Sequence, residues 1–467
     1  MNCEALPVHL ATRGGDVLLR LRRGRIVGVA LTVGLSVALA LWLGVAMVFA
    51  QPASPADPAH GYVVVQFGDH DLVARSITFT APISGLRALE LSGLRVTTAS
   101  TAFGPVVCSI EGVGCPADNC FCGGAAFWGY KSWDGATWQD YMVGAADSVL
   151  NDGAIEGWRW GEWGSALWPA RPVTAALQAL DWLQSQQSLT DGGYGGDSGS
   201  VEALLSIGAN GLPAAGWRRQ ASAPSLVSYW LSRAPIYSKM GAAQAGKLAV
   251  GMAATRACWP RPAVLPSAYY SETSGLYADG AGPQAWAILG VVASGETAPA
   301  AAIEHLRNLA QSNGGWEWGP GWGTDTNTTA LALQALIASG EALTSTTITQ
   351  GVAYLKAAQN DDGGFPYSPD SPWSTASDAN STAYVIQALR AASEDLTGPA
   401  WSKGANNPLS FLLSLQLANG SFAWLPGGAG NQLATQQAVP ALLGRTFPLR
   451  VTQPTWCPAL YLPTTGR

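Results

Sequence analysis

The stretch GVAYLKAAQNDDGGF, from Gly351 to Phe365, joins an amphipathic run to a polar, glycine-rich turn that ends in an aromatic residue. Apolar residues of the run fall three and four positions apart, which is the spacing of an α-helix with one buried face. The same succession occurs in three further places, which are Gln187-SLTDGGY, Gln311-SNGGW and Gln416-LANGSF. A repeat of this kind decides the fold before any single motif does.

Each of these turns stands between two helical runs. The run before the turn is AALQALDWLQSQ, AAIEHLRNLA, GVAYLKAA or PLSFLLSL, and the run after it is VEALLSIG, TTALALQALIASG, STAYVIQALRAA or TQQAVPALLG. Two degenerate copies lie between Pro224 and Ser294. About six helix pairs with such turns close a ring in which outer helices wrap inner ones, because each pair buries a face that its neighbours complete. We therefore predict a mostly α chain with an α/α toroid over residues 171–447.

The turn itself resembles the QW signature, Q-x(2-5)-G-x-W, of the prenyltransferase and squalene-cyclase repeat. SFLLSLQLANGSFAW and AYLKAAQNDDGGFPY match that signature well. The resemblance covers roughly 275 residues, more than half of the chain, and implies the α/α toroid of that family. The glutamine can bond free backbone groups at a helix end, and the aromatic residue can pack over the next helix. We therefore interpret Trp316, Phe365 and Phe422 as structural.

The N-terminus predicts export. Four arginines between positions 20 and 25 precede the apolar run from Ile26 to Ala50, which is typical of a signal peptide cleaved after Ala50. The run is also long enough to span a bilayer, so an uncleaved anchor stays open as the alternative. Residues 1–50 are thus a signal peptide or membrane anchor, followed by a linker at 51–60, and the protein is expected to be extracellular or on the cell surface. Any membrane contact is expected only through this segment.

The composition and charge of the chain argue against nucleic acid as a partner. The chain has 467 residues, 48% hydrophobic and 12% charged, with a formal net charge of -6. Residues 1–50 carry five arginines and two acids, so the remainder carries -6 - (5 - 2) = -9. A chain of this charge is not expected to bind nucleic acid.

Seven cysteines fit an oxidising compartment. Four of them lie in CSIEGVGCPADNCFC, at Cys108, Cys115, Cys120 and Cys122. We expect two local disulfides there, and the sequence leaves all three pairings open. A zinc site is the weaker interpretation of these spacings. A third disulfide, between Cys258 and Cys457, would attach the C-terminal tail to the main domain.

Residues 61–165 predict a small β-rich domain before the toroid. GYVVVQF, SITFTA and RALELSGLRVTT cluster β-formers between turn residues. The end of this region resembles the β-domain of transcobalamin-like exported proteins, in which a W-x-Y strand, a G-x-x-W turn and a D-G turn before a Trp strand recur. The matching residues are Trp128, Tyr130, Gly135, Trp138, Asp152, Gly153 and Trp158. A tail at 448–467 follows the toroid and contains LPTTG, which resembles a sortase signal but lacks the apolar segment after it.

One aspartate stands where the related cyclases carry their acid motif. Those enzymes protonate an alkene with the middle aspartate of D-x-D-D-T-A, whereas here the stretch from Asp325 to Ala330 is DTNTTA and places Asn327 at that position. An amide cannot deliver the proton. The stretch from Asp378 repeats the substitution at Asn380. We therefore interpret both aspartates as helix N-caps and predict no catalytic residue.

Other catalytic and metal patterns are missing from the sequence. No Asp, Cys and His combination suggests the zinc site of the protein prenyltransferases, and no thioester motif, nucleophile elbow or P-loop occurs. A glycosidase needs two facing carboxylates, and sequence cannot place any two of the candidates opposite each other. Those candidates are Asp197, Glu202, Asp279, Glu317, Asp325 and Asp378. We predict neither a metal site nor a required cofactor.

Aromatic residues remain that the repeat does not require. If the loops before the inner helices share one rim, these aromatics and nearby amides converge at one mouth and suit a planar or sugar-like ligand. The predicted ligand-binding residues are Trp318, Trp322, Asp325, Asn327, Tyr367, Trp373, Asp378, Asn380 and Trp424. The transcobalamin-like resemblance implies cobalamin as one ligand, although the β-domain here precedes the toroid.

The sequence thus favours an exported two-domain protein whose toroid binds a small organic ligand, either cobalamin-like, terpenoid or glycan, without catalysis. The alternative from the same resemblance is a terpene cyclase or prenyltransferase-like enzyme with a displaced catalytic acid. A purely structural surface repeat is the third interpretation.

Overall fold

A computed structural model describes residues 57–102, 104–371 and 374–458 of the chain. The predicted signal or anchor at 1–50, residues 51–56 of the linker, Trp373 and the LPTTG segment lie outside the described residues. Within the described ranges, no helix combines the length and the hydropathy needed to cross a bilayer.

The first part of the described chain forms strands with one short helix. A five-stranded sheet has the order β2-β1-β8-β6-β7, in which β1 and β8 are parallel and the other neighbours antiparallel. A second antiparallel sheet has the order β3-β4-β5. The elements are β1 (Ala59–Gln66), β2 (Leu72–Phe79), α1 (Gly85–Leu91), β3 (Val96–Thr101), β4 (Gly104–Ile110), β5 (Val113–Gly114), β6 (Phe127–Trp133), β7 (Trp138–Asp140) and β8 (Ile155–Gly161).

Strand β1 is buried on both faces. Side chains alternate along a strand, so Val63 and Val65 enter the core of the β-region while Val64 enters the core of the helical region. Strand β2 divides in the same way, with Val73 on one side and Ala74 on the other. The sheet therefore packs directly against the helices, and this double burial explains the nearly continuous apolar sequence VVV.

Six inner helices close a ring. Each contacts the next in the order α3-α5-α6-α8-α10-α12, and α12 returns to α3. Their side chains are buried almost all round, as expected of helices surrounded by others. The inner helices are α3 (Asp197–Ala209), α5 (Ala242–Ala254), α6 (Ala281–Ala293), α8 (Thr326–Ala338), α10 (Ala379–Ala391) and α12 (Gln432–Leu442).

Outer elements wrap this ring. They are α2 (Ala170–Gln186), α4 (Leu226–Tyr237), a short 3₁₀ helix (Pro266–Tyr269), α7 (Ala300–Asn308), α9 (Thr346–Ala358) and α11 (Pro408–Ser414). Two small hairpins lie in the turns, β9 (Trp316–Glu317) with β10 (Thr324–Asp325) and β11 (Phe422–Ala423) with β12 (Gly430–Asn431). This arrangement is an α/α toroid, as the repeats predicted. Because twelve strands accompany twelve α-helices in the described residues, the prediction of a mostly α chain was too narrow and the fold is mixed α/β.

The repeated turns explain the QW pattern. The side-chain amide of Gln359 donates to the carbonyls of Gly363 and Trp401, and Gln187 and Gln416 bond the corresponding turns in the same way. Trp316, Phe365 and Phe422 are fully buried. Their N–H groups donate to hydroxyls at the fourth position of α8, α10 and α12, those of Thr329, Thr382 and Thr435. The structural interpretation of the three aromatic residues is confirmed.

The five-stranded sheet covers the rim formed by the C-terminal ends of the inner helices. Asn210, which follows α3, exchanges two side-chain hydrogen bonds with the backbone of Ala74, at 2.7 and 2.9 Å. This amide takes the place of a neighbouring strand at the edge of β2. The guanidinium of Arg390 in α10 donates to the carbonyl of Asp69 and lies 4.6 Å from the ring centroid of Trp168. The opposite rim, where the inner helices begin, carries the repeat turns.

Three disulfides hold the chain. The cysteine cluster pairs as Cys108–Cys120 and Cys115–Cys122, which selects one of the three open pairings. Cys258 is bonded to Cys457, and the strand-like pairing of Trp259 with Trp456 accompanies this bond. The C-terminal segment is therefore attached to the end of α5, as the sequence analysis expected.

Candidate functional site

The inner helices begin at one rim, and three of them begin at a capping side chain. Asp325, Asp378 and Asn431 accept hydrogen bonds from backbone N–H groups three residues later, at 2.7, 2.9 and 2.9 Å. These side chains satisfy donors that have no partner within a helix. The capping interpretation of both aspartates is confirmed.

The two capping carboxyls are buried. Asp325 is 2% exposed, and burial raises its pKa to about 6 against the opposing effect of its hydrogen bonds. Burial also raises the pKa of Asp378. Tyr367 hydrogen-bonds the first carboxyl and Trp424 the second. Each aspartate is thus covered by an aromatic side chain of the following repeat.

The rim aromatics belong to the repeat as well as to the surface. The carbonyl of Trp318 accepts from Gly282 at 3.3 Å, that of Tyr367 from Thr326 at 2.9 Å, and that of Trp424 from Ala379 at 2.9 Å. Each turn therefore caps the first turn of the inner helix in the preceding repeat. The expectation that the repeat does not require these positions is corrected, because their backbone carries a regular contact between repeats.

The predicted rim residues differ in exposure. Trp322, Trp424 and Tyr367 are 74%, 51% and 41% exposed. Trp318 packs over α6, where a Cβ at Gly282 would lie 2.1 Å from its ring. Asn327 and Asn380, at the second position of α8 and α10, are half-buried.

A layer of side chains crosses the ring below this rim. Five inner helices contribute the residue at their sixth position, and these residues form one chain of contacts. The layer, called the floor, consists of Glu202 of α3, Lys247 of α5, Trp286 of α6, Tyr384 of α10 and Gln437 of α12. Five residues of α-helix rise about 8 Å, so the mouth is shallow.

Glu202 and Lys247 form the charged part of the floor. The carboxylate is ion-paired with the ammonium group, and their side chains are 7% and 17% exposed. The amide of Gln437 donates to the same carboxylate at 2.9 Å, and Asn380 donates to Gln437 at 2.6 Å. Lys247 Nζ lies 5.0 Å from the ring centroid of Trp286. The floor thus holds an ion pair beside an aromatic face that already accommodates a cation.

Phe447 closes the ring from the other side. After α12 the chain turns inward, and the N–H of Phe447 donates to the side chain of Gln334 in α8 at 2.8 Å. Its ring centroid lies 5.2 Å from that of Trp286 and 6.3 Å from that of Tyr384. The floor therefore rests on a buried phenylalanine.

The charge of Glu202 acts on two tyrosines. Burial raises the pKa of Tyr384 above its usual range, and the carboxylate of Glu202 adds to this effect. Burial and the same carboxylate raise the pKa of Tyr237 in α4. Both phenols are therefore neutral donors at physiological pH. Residues 57–102, 104–371 and 374–458 contain no group of three or more His, Cys, Asp and Glu arranged to hold a metal ion.

The sequence analysis missed most of the floor. It considered Glu202 only as one of six glycosidase candidates, and it named neither Lys247 nor the other three residues. A signal was present, because all five stand at the same position of their helices. Aligning the repeats on the capping residue and reading the sixth position would have found them.

Comparison with known proteins identifies similar structures but no family. No family model and no curated protein matches the sequence. The type II terpene cyclase MstE from Scytonema is 17% identical, with a TM-score of 0.39 over 59% of this chain and 97% of that chain. A variant of MstE holding its substrate, geranylgeranyl dihydroxybenzoate, gives 16% and 0.39 over the same shares. The ent-copalyl diphosphate synthase from Streptomyces platensis is 15% identical, with a TM-score of 0.36 over 53% of this chain and 50% of that chain.

These comparisons correct two predictions. The prediction of a non-catalytic ligand-binding toroid was wrong, because the similar structures of stated activity are terpene cyclases, including forms with substrate and with product. The cyclase alternative agrees with them better. These structures give no support to the transcobalamin-like interpretation of the β-region or to a glycan ligand.

Proposed function

We propose that this protein is an enzyme of the cyclase class that performs acid–base chemistry on a small organic substrate at the floor of the toroid. The observation that carries the proposal is the Glu202–Lys247 pair, which is charged, shielded from solvent and held on the lumen side of two adjacent inner helices. Charged groups are rarely placed in such a position without a role.

The proposed acid–base pair lies away from the position of the cyclase motif. Helix α8, which carries Asn327, is three steps around the six-helix ring from α3, the helix of Glu202, and two steps from α5, the helix of Lys247. A substrate would therefore meet Glu202 on the wall opposite Asn327, with its proton donor, Lys247, on the adjacent helix. Because Lys247 is a weaker acid than a protonated aspartate, the pair suits an oxygen acceptor such as an epoxide or carbonyl better than an alkene.

The remaining floor residues suit this chemistry. Protonation followed by ring closure develops positive charge on the substrate, and the faces of Trp286 and Tyr384 can stabilise a cation. Trp286 already lies beneath the ammonium group of Lys247. Gln437 fixes the orientation of the Glu202 carboxylate through its 2.9 Å hydrogen bond.

Turnover of a terpenoid epoxide and the matching alkene by the purified full-length protein tests the proposal. Products are detected by gas chromatography with mass spectrometry. We expect product from the epoxide, and a loss of roughly a hundredfold or more in Glu202→Gln and Lys247→Met. The double variant removes both charges and so avoids leaving one buried charge unpaired. Glu272→Gln and Lys239→Met change exposed residues and serve as matched controls.

Two results would refute the assignment. One is the absence of product with either substrate class, and the other is turnover that survives in the double variant. The first result would favour the structural-repeat interpretation, which the burial of Phe447 within the ring also supports.

We also propose that the protein is exported. Three disulfides among the described residues agree with an oxidising compartment. N-terminal sequencing of the protein recovered outside the cell would show a start at Gln51 if the signal is cleaved. Recovery of the whole protein inside the cell with reduced cysteines would contradict export.

A further inference from the structure

A cavity of about 540 Å³ lies between the five-stranded sheet and the C-terminal rim of the toroid, far along the inner helices from the mouth. Its walls come from strand β2 and the loop before it, from the loop after α1, from the turn between β4 and β5, from the loop after α3, and from the segments after α5 and α12. Five arginines and two acids line it, giving a formal charge of 5 - 2 = +3 in a chain whose net charge is -6. The arginines are Arg75, Arg95, Arg256, Arg445 and Arg450, and the acids are Asp71 and Glu111. This site is called the arginine cavity.

The two acids neutralise two of the arginines. Arg445, which is 7% exposed, is ion-paired with Asp71 and donates to the carbonyl of Leu449 at 2.7 Å. Arg95 is paired with Glu111 at 3.3 Å. The pKa of Glu111 is lowered by its hydrogen bonds from Arg95 and by nearby cations, although burial opposes this, so the carboxyl is ionised at neutral pH.

The other three arginines have no carboxylate partner. Arg75 directs its guanidinium to the backbone carbonyls of Ala74 and Asn210, at 2.8 and 3.0 Å. No carboxylate of the described residues forms an ion pair with Arg256 or Arg450. Burial and the positive charge of Arg256 lower the pKa of Arg450, while Asp71 and Glu111 oppose this. Neighbouring guanidinium groups that outnumber the carboxylates around them gain free energy when an anion lies between them.

A second cavity shows where an organic group can lie. It has a volume of about 230 Å³, and Arg256 and Arg450 line both cavities. Met252 and Trp259 contribute apolar surface to it. The two arginines therefore stand at the boundary between a cationic space and a partly apolar one. The combined space exceeds the needs of a bare inorganic ion and fits a small organic molecule.

We propose that the arginine cavity binds a phosphorylated small molecule, with its phosphate at Arg256 and Arg450 and its organic part in the adjoining cavity. Guanidinium groups match the geometry of phosphate oxygens and remain charged at all physiological pH values. This site is separate from the floor of the toroid. The negative net charge of the whole chain gave no indication of it.

Isothermal titration calorimetry at low ionic strength tests the proposal, with pyrophosphate and phenyl phosphate as probes. We expect saturable binding of both, and an affinity at least roughly tenfold weaker for each of Arg256→Ala and Arg450→Ala. Affinity should also fall as salt is added. Arg219→Ala removes an exposed arginine outside the cavity and should bind like the unaltered protein.

The variants are expected to fold, because both arginines are largely exposed and their side chains form no hydrogen bond or ion pair within the described residues, while the backbone hydrogen bond from Arg256 to Ala253 does not need the side chain. An unchanged thermal midpoint without probe checks this. Absence of saturable binding to the unaltered protein overturns the proposal. So does an affinity that is equal in Arg219→Ala and in the Arg256→Ala/Arg450→Ala double variant. Neither measurement depends on turnover, so the arginine cavity and the proposed catalytic function are tested separately.

Discussion

At the scale of single residues, substitutions of Asp325 distinguish its role as a helix cap from a requirement for its negative charge. Its carboxylate accepts from the N–H of Thr328 at 2.7 Å and caps α8. Asparagine caps a helix as well as aspartate does, whereas alanine cannot. We expect the free energy of unfolding of Asp325→Ala to be about 1 kcal/mol lower than that of Asp325→Asn, measured by urea denaturation of both variants at one pH. An equal cost of both variants would show that the negative charge itself is required.

Glu156 gives the protein a dependence of stability on pH. It is 1% exposed, and the hydroxyls of Tyr130 and Tyr141 donate to it while no cation of the described residues pairs with it. Burial raises its pKa from 4.5 to about 7. A carboxyl with a higher pKa in the folded protein binds more protons there, so its contribution to stability falls as pH rises from 4.5 to about 7.

Glu156→Gln should remove this dependence. Relative to the unaltered protein, the variant should gain up to about 3 kcal/mol in the free energy of unfolding between pH 4.5 and pH 8. Urea denaturation of both proteins at the two pH values measures the difference. A gain that is the same at both pH values would show that the carboxyl does not titrate in this range.

At the scale of elements, helices α5 and α6 depend on glycine at their crossing. A Cβ at Gly246 would lie 2.0 Å from the carbonyl oxygen of Trp286, which is backbone and cannot rotate away. We expect Gly246→Ala to lower the free energy of unfolding by about 3 kcal/mol, as overpacking does. Gly351→Ala is the matched control, because its nearest neighbour is the flexible end of Leu333. Equal effects of Gly246→Ala and Gly351→Ala would mean that α5 and α6 can move apart to accommodate the added Cβ.

The sequence was most informative about the secondary-structure elements. The glutamine, glycine and aromatic residue of each turn predicted the helix pairs, and the two D-x-N-[ST]-T-A stretches predicted caps, because both signals act within a few residues of chain. The floor repeats too, but a single glutamate or lysine in a helix usually faces solvent, so the signal appears only when five helices are aligned. The arginine cavity combines six separate segments, around residues 67–75, 93–95, 111–113, 208–213, 256 and 445–450, and no local pattern indicates such a convergence.

At the scale of the whole molecule, the order of the chain did not reveal which rim the β-region covers. The answer depends on contacts between distant residues, such as that of Asn210 with Ala74, which are 136 positions apart. On the side of the ring that the sheet covers, the buried side chain of Phe447 divides the floor from the sheet.

This division predicts the consequence of removing Phe447. The side chain is 4% exposed and packs against Trp286 of α6 and Tyr384 of α10, the two helices on either side of α8. Phe447→Ala leaves a cavity that rigid helices cannot fill, and it should cost about 3 to 5 kcal/mol of the free energy of unfolding. Phe121→Ala, at a side chain 72% exposed, should cost far less. Because an apolar cavity binds small aromatic molecules, benzene should raise the thermal midpoint of Phe447→Ala and leave that of the unaltered protein unchanged. A variant that is neither destabilised nor rescued by benzene would show that the ring closes without its central phenylalanine.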